Sequence, residues 1–149
     1  MIKKYFLLNA LFVLSVTSYA EPLDPVQLLS DFVGVDTVNP PGNESRAVDF
    51  YANIFEQEGI VYSSAESTPG RGNIWARIKG GDLPALILLQ HTDVVPATKE
   101  YWDTDPLVAE IKDGYLYGRG VIDMKGAGIS QLVSFIKLHR SGLNLNRDV

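Results

Sequence analysis

Apolar residues recur along this chain in two rhythms, one close to the turn of a helix and one alternating. Leu28, Leu29 and Phe32 set an apolar face just after Asp24-Pro25-Val26-Gln27. That tetrapeptide reads as a helix start. Asp24 can cap, Pro25 suits the first helical position, and Gln27 stands where a capping box wants Glu or Gln. Ala47, Val48, Tyr51, Ile54 and Phe55 predict a second helix over 44–58, with Gly59 as its stop. Ile129, Leu132, Val133 and Ile136 give the buried stripe of a third helix over 124–141. Lys137, His139 and Arg140 fall in its last turn, where cations suit the helix dipole, and Gly142 closes it.

The alternating rhythm marks strands. Ile74, Ala76 and Ile78 share one face and Trp75 and Arg77 the other, which predicts a strand over 73–79. A shorter one is expected over 60–63. The run 85–89 is apolar throughout, the pattern of a strand covered on both faces, and leads straight into Gln90-His91-Thr92-Asp93. Weaker strands at 107–111 and 115–117 flank the turn Asp113-Gly114, and 147–149 reads as the start of another. Asn39-Pro40-Pro41-Gly42-Asn43 must be loop. Helices interleaved with strands around a buried central one predict a three-layer α/β fold. Sites in such folds form beyond the carboxyl ends of strands, where His91 sits.

The first twenty residues follow neither rhythm. Lys3 and Lys4 precede a mostly apolar stretch, 5–16, with Asn9 as its only strongly polar interruption, and Ser18-Tyr19-Ala20 follows. This is the pattern of a secretory signal over 1–20, cut between Ala20 and Glu21, leaving a single domain over 21–149. The alternative is an uncleaved anchor, for which the apolar run is short of the roughly 20 residues a span needs. Cleavage removes two lysines and no acid, taking the formal charge from -5 to -7. The expectation is an exported protein, periplasmic or secreted, with no stable membrane association after cleavage.

Composition then narrows the chemistry. With 46% hydrophobic and 21% charged residues, the 149-residue chain is globular rather than disordered. Its acidic balance gives no footprint for nucleic acid. It has no cysteine, which excludes disulfides, thiolate metal sites and a cysteine nucleophile. Any bound metal must therefore be held by His, Asp and Glu.

His91-Thr92-Asp93 places a carboxylate two residues from a histidine, on the same face of an extended segment. A carboxylate that accepts from a ligand histidine fixes its tautomer and raises its basicity. The plainer reading is a polar loop after a strand. Asp123, in Gly118-Arg119-Gly120-Val121-Ile122-Asp123-Met124-Lys125-Gly126, stands at a strand-to-helix junction. It reads either as the cap of the third helix or as a carboxylate bridging two cations. Arg119 reads as a structural ion pair or an anion contact, Trp75 and Trp102 as core and loop packing. His139, Glu56 and Glu58 read as surface. Asp103 and Asp105 carry no assigned role.

Taken in order, the blocks change the weighing. Val38-Asn39-Pro40-Pro41-Gly42, Pro69-Gly70-Arg71-Gly72-Asn73, His91-Thr92-Asp93-Val94-Val95-Pro96-Ala97, Trp102, Asp105-Pro106, Asp113 to Gly120 and Asp123-Met124-Lys125-Gly126 follow one another. This resembles the N-terminal catalytic half-domain of the zinc metallopeptidase and amidohydrolase family of aminoacylases, acetylornithine deacetylase, succinyl-diaminopimelate desuccinylase, carboxypeptidase S and glutamate carboxypeptidase. The resemblance covers nearly all of 21–149.

The resemblance implies the N-terminal portion of a three-layer α/β/α catalytic domain. It implies His91 as a zinc ligand, Asp93 as the catalytic aspartate that orients it, and Asp123 as the carboxylate between two zinc ions, with cobalt as a possible substitute. The bond after that aspartate, Asp123-Met124 here, is often cis in relatives. The implied reaction is attack of a metal-activated water on the amide or peptide bond of an N-acyl amino acid or small peptide. A glutamate of a Glu-Glu pair serves as general base and then acid. That pair, the remaining ligands and the dimerisation domain have no counterpart in 21–149. The expectation is thus a truncated piece, inactive alone, of a protein that can be a homodimer at full length. The alternatives are a non-catalytic exported protein and a membrane-tethered binding protein.

Overall fold

The computed structural model describes residues 22–149, so the expected signal sequence and its cleavage point lie outside the described residues. Helix α1 spans Pro25–Val33 and starts as its sequence predicts. Asp24 Oδ1 accepts from the backbone N–H groups of Val26 and Gln27 at 2.9 and 3.2 Å. Gln27 does not close a capping box. Its amide reaches forward to Asp31 Oδ1 at 2.8 Å.

Helix α2, Ser45–Gln57, buries Ala47, Tyr51 and Phe55, one residue per turn on one face. Gly59 ends it with φ +65, a conformation that costs glycine nothing. Ile60 is buried in the connection, so strand β1 runs Tyr62–Glu66 rather than over 60–63. It pairs antiparallel with β2, Gly72–Ala76, from Tyr62↔Ala76 to Glu66↔Gly72. Ile74, Ala76 and Ile78 pack on the core as the alternation predicts. Trp75, expected in the core, is 54% exposed because it stands on the opposite face of the hairpin.

Strands β3, Glu110–Lys112, and β4, Tyr115–Tyr117, form a second antiparallel hairpin. Asp113 and Gly114 both take positive φ, +53 and +81, as a two-residue turn of this hand requires. Helix α3 runs Gly126–Ser141 and buries Ile129, Leu132, Val133, Phe135 and Ile136. Its start is two residues later than the stripe predicts. The preceding turn, Val121–Lys125, leaves helical geometry at Asp123 and Met124, whose shared peptide bond is cis.

One core joins the three helices and the inner face of the β1–β2 hairpin. Phe32 of α1 stacks on Phe50 at 4.8 Å between centroids and meets Tyr51 edge-on at 5.3 Å. Phe55 meets Phe135 of α3 at 6.3 Å. Among the described residues no helix is long and apolar enough to cross a membrane.

The expected central strand is the clearest departure. Residues 85–89 are extended but unpaired along most of their length, and Ile87 and Leu89 are each 77% exposed. The chain end touches only the start of this segment. Leu83 bridges Arg147, and Leu86 N–H donates to Asp148 O at 2.9 Å. Val149 exchanges two bonds with Ile78 instead, at 2.8 and 3.0 Å. An open cleft lined by Tyr51, Phe55, Ile74, Leu88, Leu132 and Phe135 separates the segment from the core. The apolar run is present, and neither face is covered among the described residues.

Candidate metal site

Two local devices bring the site together. The first fastens the loop after His91. Val94 bridges Val38 in parallel, with Val94 N–H to Thr37 O at 3.1 Å and Asn39 N–H to Val94 O at 2.9 Å. The buried Thr37 hydroxyl adds a bond to Thr92 O at 2.6 Å. The second device fixes the turn that carries Asp123. Gly120 takes φ +84, and Lys125 N–H closes the turn on Gly120 O at 2.7 Å. Lys125 itself is 1% exposed. Its ammonium donates to Phe32 O and Val35 O, each at 2.7 Å, and lies 4.7 Å from the Phe32 ring centroid. It adds a charged donor to Phe32 O, which also accepts from Val35 N–H at 3.1 Å, and supplies Val35 O just beyond the end of α1. Burial pulls its pKa down to about 8, and the nearby Asp36 charge offsets part of that.

The result places the imidazole of His91 between two carboxylates. Nε2 is 2.9 Å from Asp123 Oδ1. Nδ1 is 3.2 Å from Asp93 Oδ1 and 3.1 Å from Asp93 O. The hydrogen bond that His91 donates to Asp123 raises the His91 pKa, with burial working against it. Asp93 is held below its ordinary value, first by a hydrogen bond from Asn39 and then by the His91 charge. Asp123 makes no capping bond to α3, so the cap reading fails. It is the side chain His91 meets, and both remain open to solvent.

The donor set suits zinc in kind, since imidazole nitrogen and carboxylate oxygen are its usual partners. It falls short in number. Hydrolytic zinc sites use three protein ligands, and here only His91 Nε2 and Asp123 converge, because Asp93 is engaged on the far side of the ring. Among the described residues no group of three or more His, Cys, Asp or Glu side chains could hold a metal ion.

The other candidates stay apart from this junction. His139 is exposed near the end of α3. Glu58, expected as a solvated residue, instead pairs with Arg140 at 2.7 and 2.8 Å with little of its side chain exposed. Asp105 accepts from Lys99 at 3.0 Å and from Leu107 N–H at 3.1 Å, so it is a loop-holding residue. Arg119 makes no ion pair among the described residues. Its guanidinium lies 5.1 Å from the Trp102 ring centroid, a cation–π contact that packs the loop.

Four residues with no role in the sequence reading belong to the surroundings of the site: Asn39, Glu44, Arg71 and Lys125. Asn39, Arg71 and Lys125 stand inside the ordered blocks quoted above, and their position there was the available signal.

Residues 87–149 match the family model described as peptidase family M20/M25/M40. Over these residues the chain is similar to the M20 peptidase family. A succinyl-diaminopimelate desuccinylase of Parvibaculum lavamentivorans is 36% identical over 130 residues, covering 85% of this chain and 32% of the relative. One from Xanthomonas oryzae pv. oryzae is 48% identical over 73 residues, 46% of this chain and 19% of its own. Among solved structures, an M20 family metallo-carboxypeptidase from Sulfolobus solfataricus superposes with a TM-score of 0.72 at 23% identity, over 86% of this chain and 30% of that one. Human carnosine dipeptidase 1 gives 0.61 at 26% identity, over 83% and 30%. The mixed α/β architecture is therefore that of an M20 domain. The chain spans about a third of the length of the first relative it matches.

Proposed function

We propose that this chain contributes to a metal-dependent hydrolase of amide or peptide bonds, with His91 and Asp123 as metal ligands and Asp93 as the residue that orients His91. The observation carrying this is the approach of His91 Nε2 to Asp123 Oδ1, with Asp93 behind Nδ1. Carboxylate, imidazole and carboxylate in that order are the arrangement a ligand histidine needs. Zinc would be the favoured metal, with His91 and Asp123 among the residues that would hold it, and cobalt is an alternative. When bound, the metal supplies Lewis acidity, lowering the pKa of a water and polarising an amide carbonyl. The residues present do the positioning. With metal bound, Asp93 would accept from Nδ1–H and leave the Nε2 lone pair for the ion. Lys125 and Gly120 hold the turn that aims Asp123.

The substrate reading is an N-acyl amino acid or a small peptide. It is supported by relatives named as a desuccinylase, a carboxypeptidase and a dipeptidase. The pattern of residues 1–20 supports an exported, periplasmic or secreted protein. A homodimer is the proposed assembly of the complete enzyme.

The ligand count supports a second reading for these 149 residues on their own, as a part without turnover. The deciding experiment measures zinc content and amidase activity of the purified chain beside a form extended through any downstream reading frame. Metal and turnover in the extended form alone support the hydrolase and the half-site. Metal-dependent turnover by the short form means that assembly or other residues complete the site. Neither metal nor turnover in the extended form would sink the hydrolase reading.

A further inference from the structure

The contact that holds Asp93 lies outside the residues so far given a role. Asn39 Nδ2 donates to Asp93 Oδ2 at 2.9 Å, while the other oxygen, Oδ1, faces His91 Nδ1 at 3.2 Å. The two oxygens of one carboxylate are thus divided between two partners. A carboxylate tied at one oxygen cannot rotate away from the imidazole without losing both contacts.

The Asn39 carboxamide is itself oriented from behind. Arg71 Nη1 lies 3.4 Å from Asn39 Oδ1 and 3.4 Å from Pro41 O. A guanidinium only donates and a carboxylate only accepts, so the amide has one workable orientation: oxygen toward Arg71, N–H toward Asp93. Arg71 is anchored in turn, with Nε 2.7 Å from Oε2 of the buried Glu44. Gly42, at φ +81, leaves room for this guanidinium. A Cβ there would lie 2.7 Å from Arg71 Nη1. The backbone registers the same residue, through Asn39 N–H to Val94 O.

We propose that Asn39 is a positioning residue: its carboxamide, oriented by Arg71, fixes the Asp93 carboxylate against His91 Nδ1 and so keeps Nε2 facing Asp123. The consequence for metal binding rests on the reading of His91 and Asp123 as ligands. The positioning itself does not. Loop 38–42 and the turn at 69–73 are then tied to the site by one polar chain, Glu44–Arg71–Asn39–Asp93–His91.

The test uses the metal-free, nitrogen-15-labelled chain carrying Asp123→Ala as its parent, so that no carboxylate competes for Nε2, and reads the tautomer of neutral His91 by long-range proton–nitrogen correlation. The chain has two histidines, so the exposed His139 is an internal reference. Asn39→Asp keeps the shape and an acceptor for Arg71, but removes the N–H and sets carboxylate against carboxylate. Asn39→Ala removes the amide without adding charge. The parent is expected to hold His91 mainly as the Nδ1–H form. In both variants the ratio of Nδ1–H to Nε2–H should fall about fivefold, the equivalent of one net hydrogen bond. His139 should not move, and the unfolding transition should be retained in at least one variant. An unchanged His91 ratio in a folded variant overturns the proposal, as does a parent that is mainly Nε2–H. Loss of folding in both variants also overturns it, because Asn39 is then structural. A shifted ratio in a chain whose extended form shows no hydrolysis leaves the positioning role standing and removes the hydrolase reading.

Discussion

His91 Nε2 lies 2.9 Å from Asp123 Oδ1, although 32 residues separate them in sequence. Without metal this contact favours the charged imidazole, so the folded pKa stands above the ordinary 6.5. The sign of the linkage follows. The contact adds stability fully below the unfolded-chain pKa, and the contribution is lost as pH rises through the higher folded value. Asp123→Asn removes the charge and should bring the His91 pKa back down toward its ordinary value. The pH titration of the ring by NMR checks this, with His139 as reference. An unmoved His91 pKa means the two side chains do not meet in solution.

Asp93 acts on the same ring from its other side. Asp93→Ala should weaken zinc binding by about 10–100-fold, the usual cost of removing the carboxylate behind a ligand histidine. His139→Ala should leave zinc binding where it was. Calorimetric titration of the chain, or of an extended form if binding to the chain is too weak to follow, separates the two. Equal effects of the two substitutions would contradict the roles given to both residues.

How much of this was legible beforehand varies with the kind of signal. Helices α1, α2 and α3 were readable because each buries one stripe, and a stripe has a period. Residues 85–89 carried the strand pattern, but a pattern records what a segment can bury, not what covers it. The start of α3 was misplaced because the apolar stripe runs on through the turn 121–125, whose cis bond no periodicity encodes. His91, Asp93 and Asp123 were found through ordered motif blocks. Asn39 was not given a role, because its contact with Asp93 joins loops 54 residues apart. Lys125 was missed for a related reason. A lysine near a helix start reads as solvated, and only the fold reveals the Phe32 and Val35 carbonyls beneath it.

That burial makes Lys125 a sharp test of the turn. Lys125→Met keeps much of the apolar stem and removes the ammonium, leaving Val35 O without its donor while Phe32 O keeps the Val35 N–H. Losing the partner of a buried acceptor costs about 1–3 kcal/mol, and that is the expected drop in unfolding free energy from urea titration. If the substitution stabilises the chain, relief of the buried charge outweighs the two lost bonds, and the ammonium is not what holds the turn.

Residues 85–89 make the last prediction. Ile87 and Leu89 are two apart, so they share one face of an extended segment, and each is 77% exposed. Their backbone groups find little pairing among the described residues, since the closing bond from Leu86 to Asp148 lies at the start of the run. An exposed, apolar, unpaired strand is a template for a second chain. The parent should therefore self-associate as concentration rises, which light scattering or size-exclusion chromatography will show. Ile87→Lys with Leu89→Lys puts like charges on that face, so the double variant should stay monodisperse at concentrations where the parent does not. Because both side chains already face solvent, each change should alter stability by no more than about 0.5 kcal/mol. A large loss of stability in the double variant would mean that this face is covered in solution, and a parent monodisperse throughout would mean that the edge is not available for pairing.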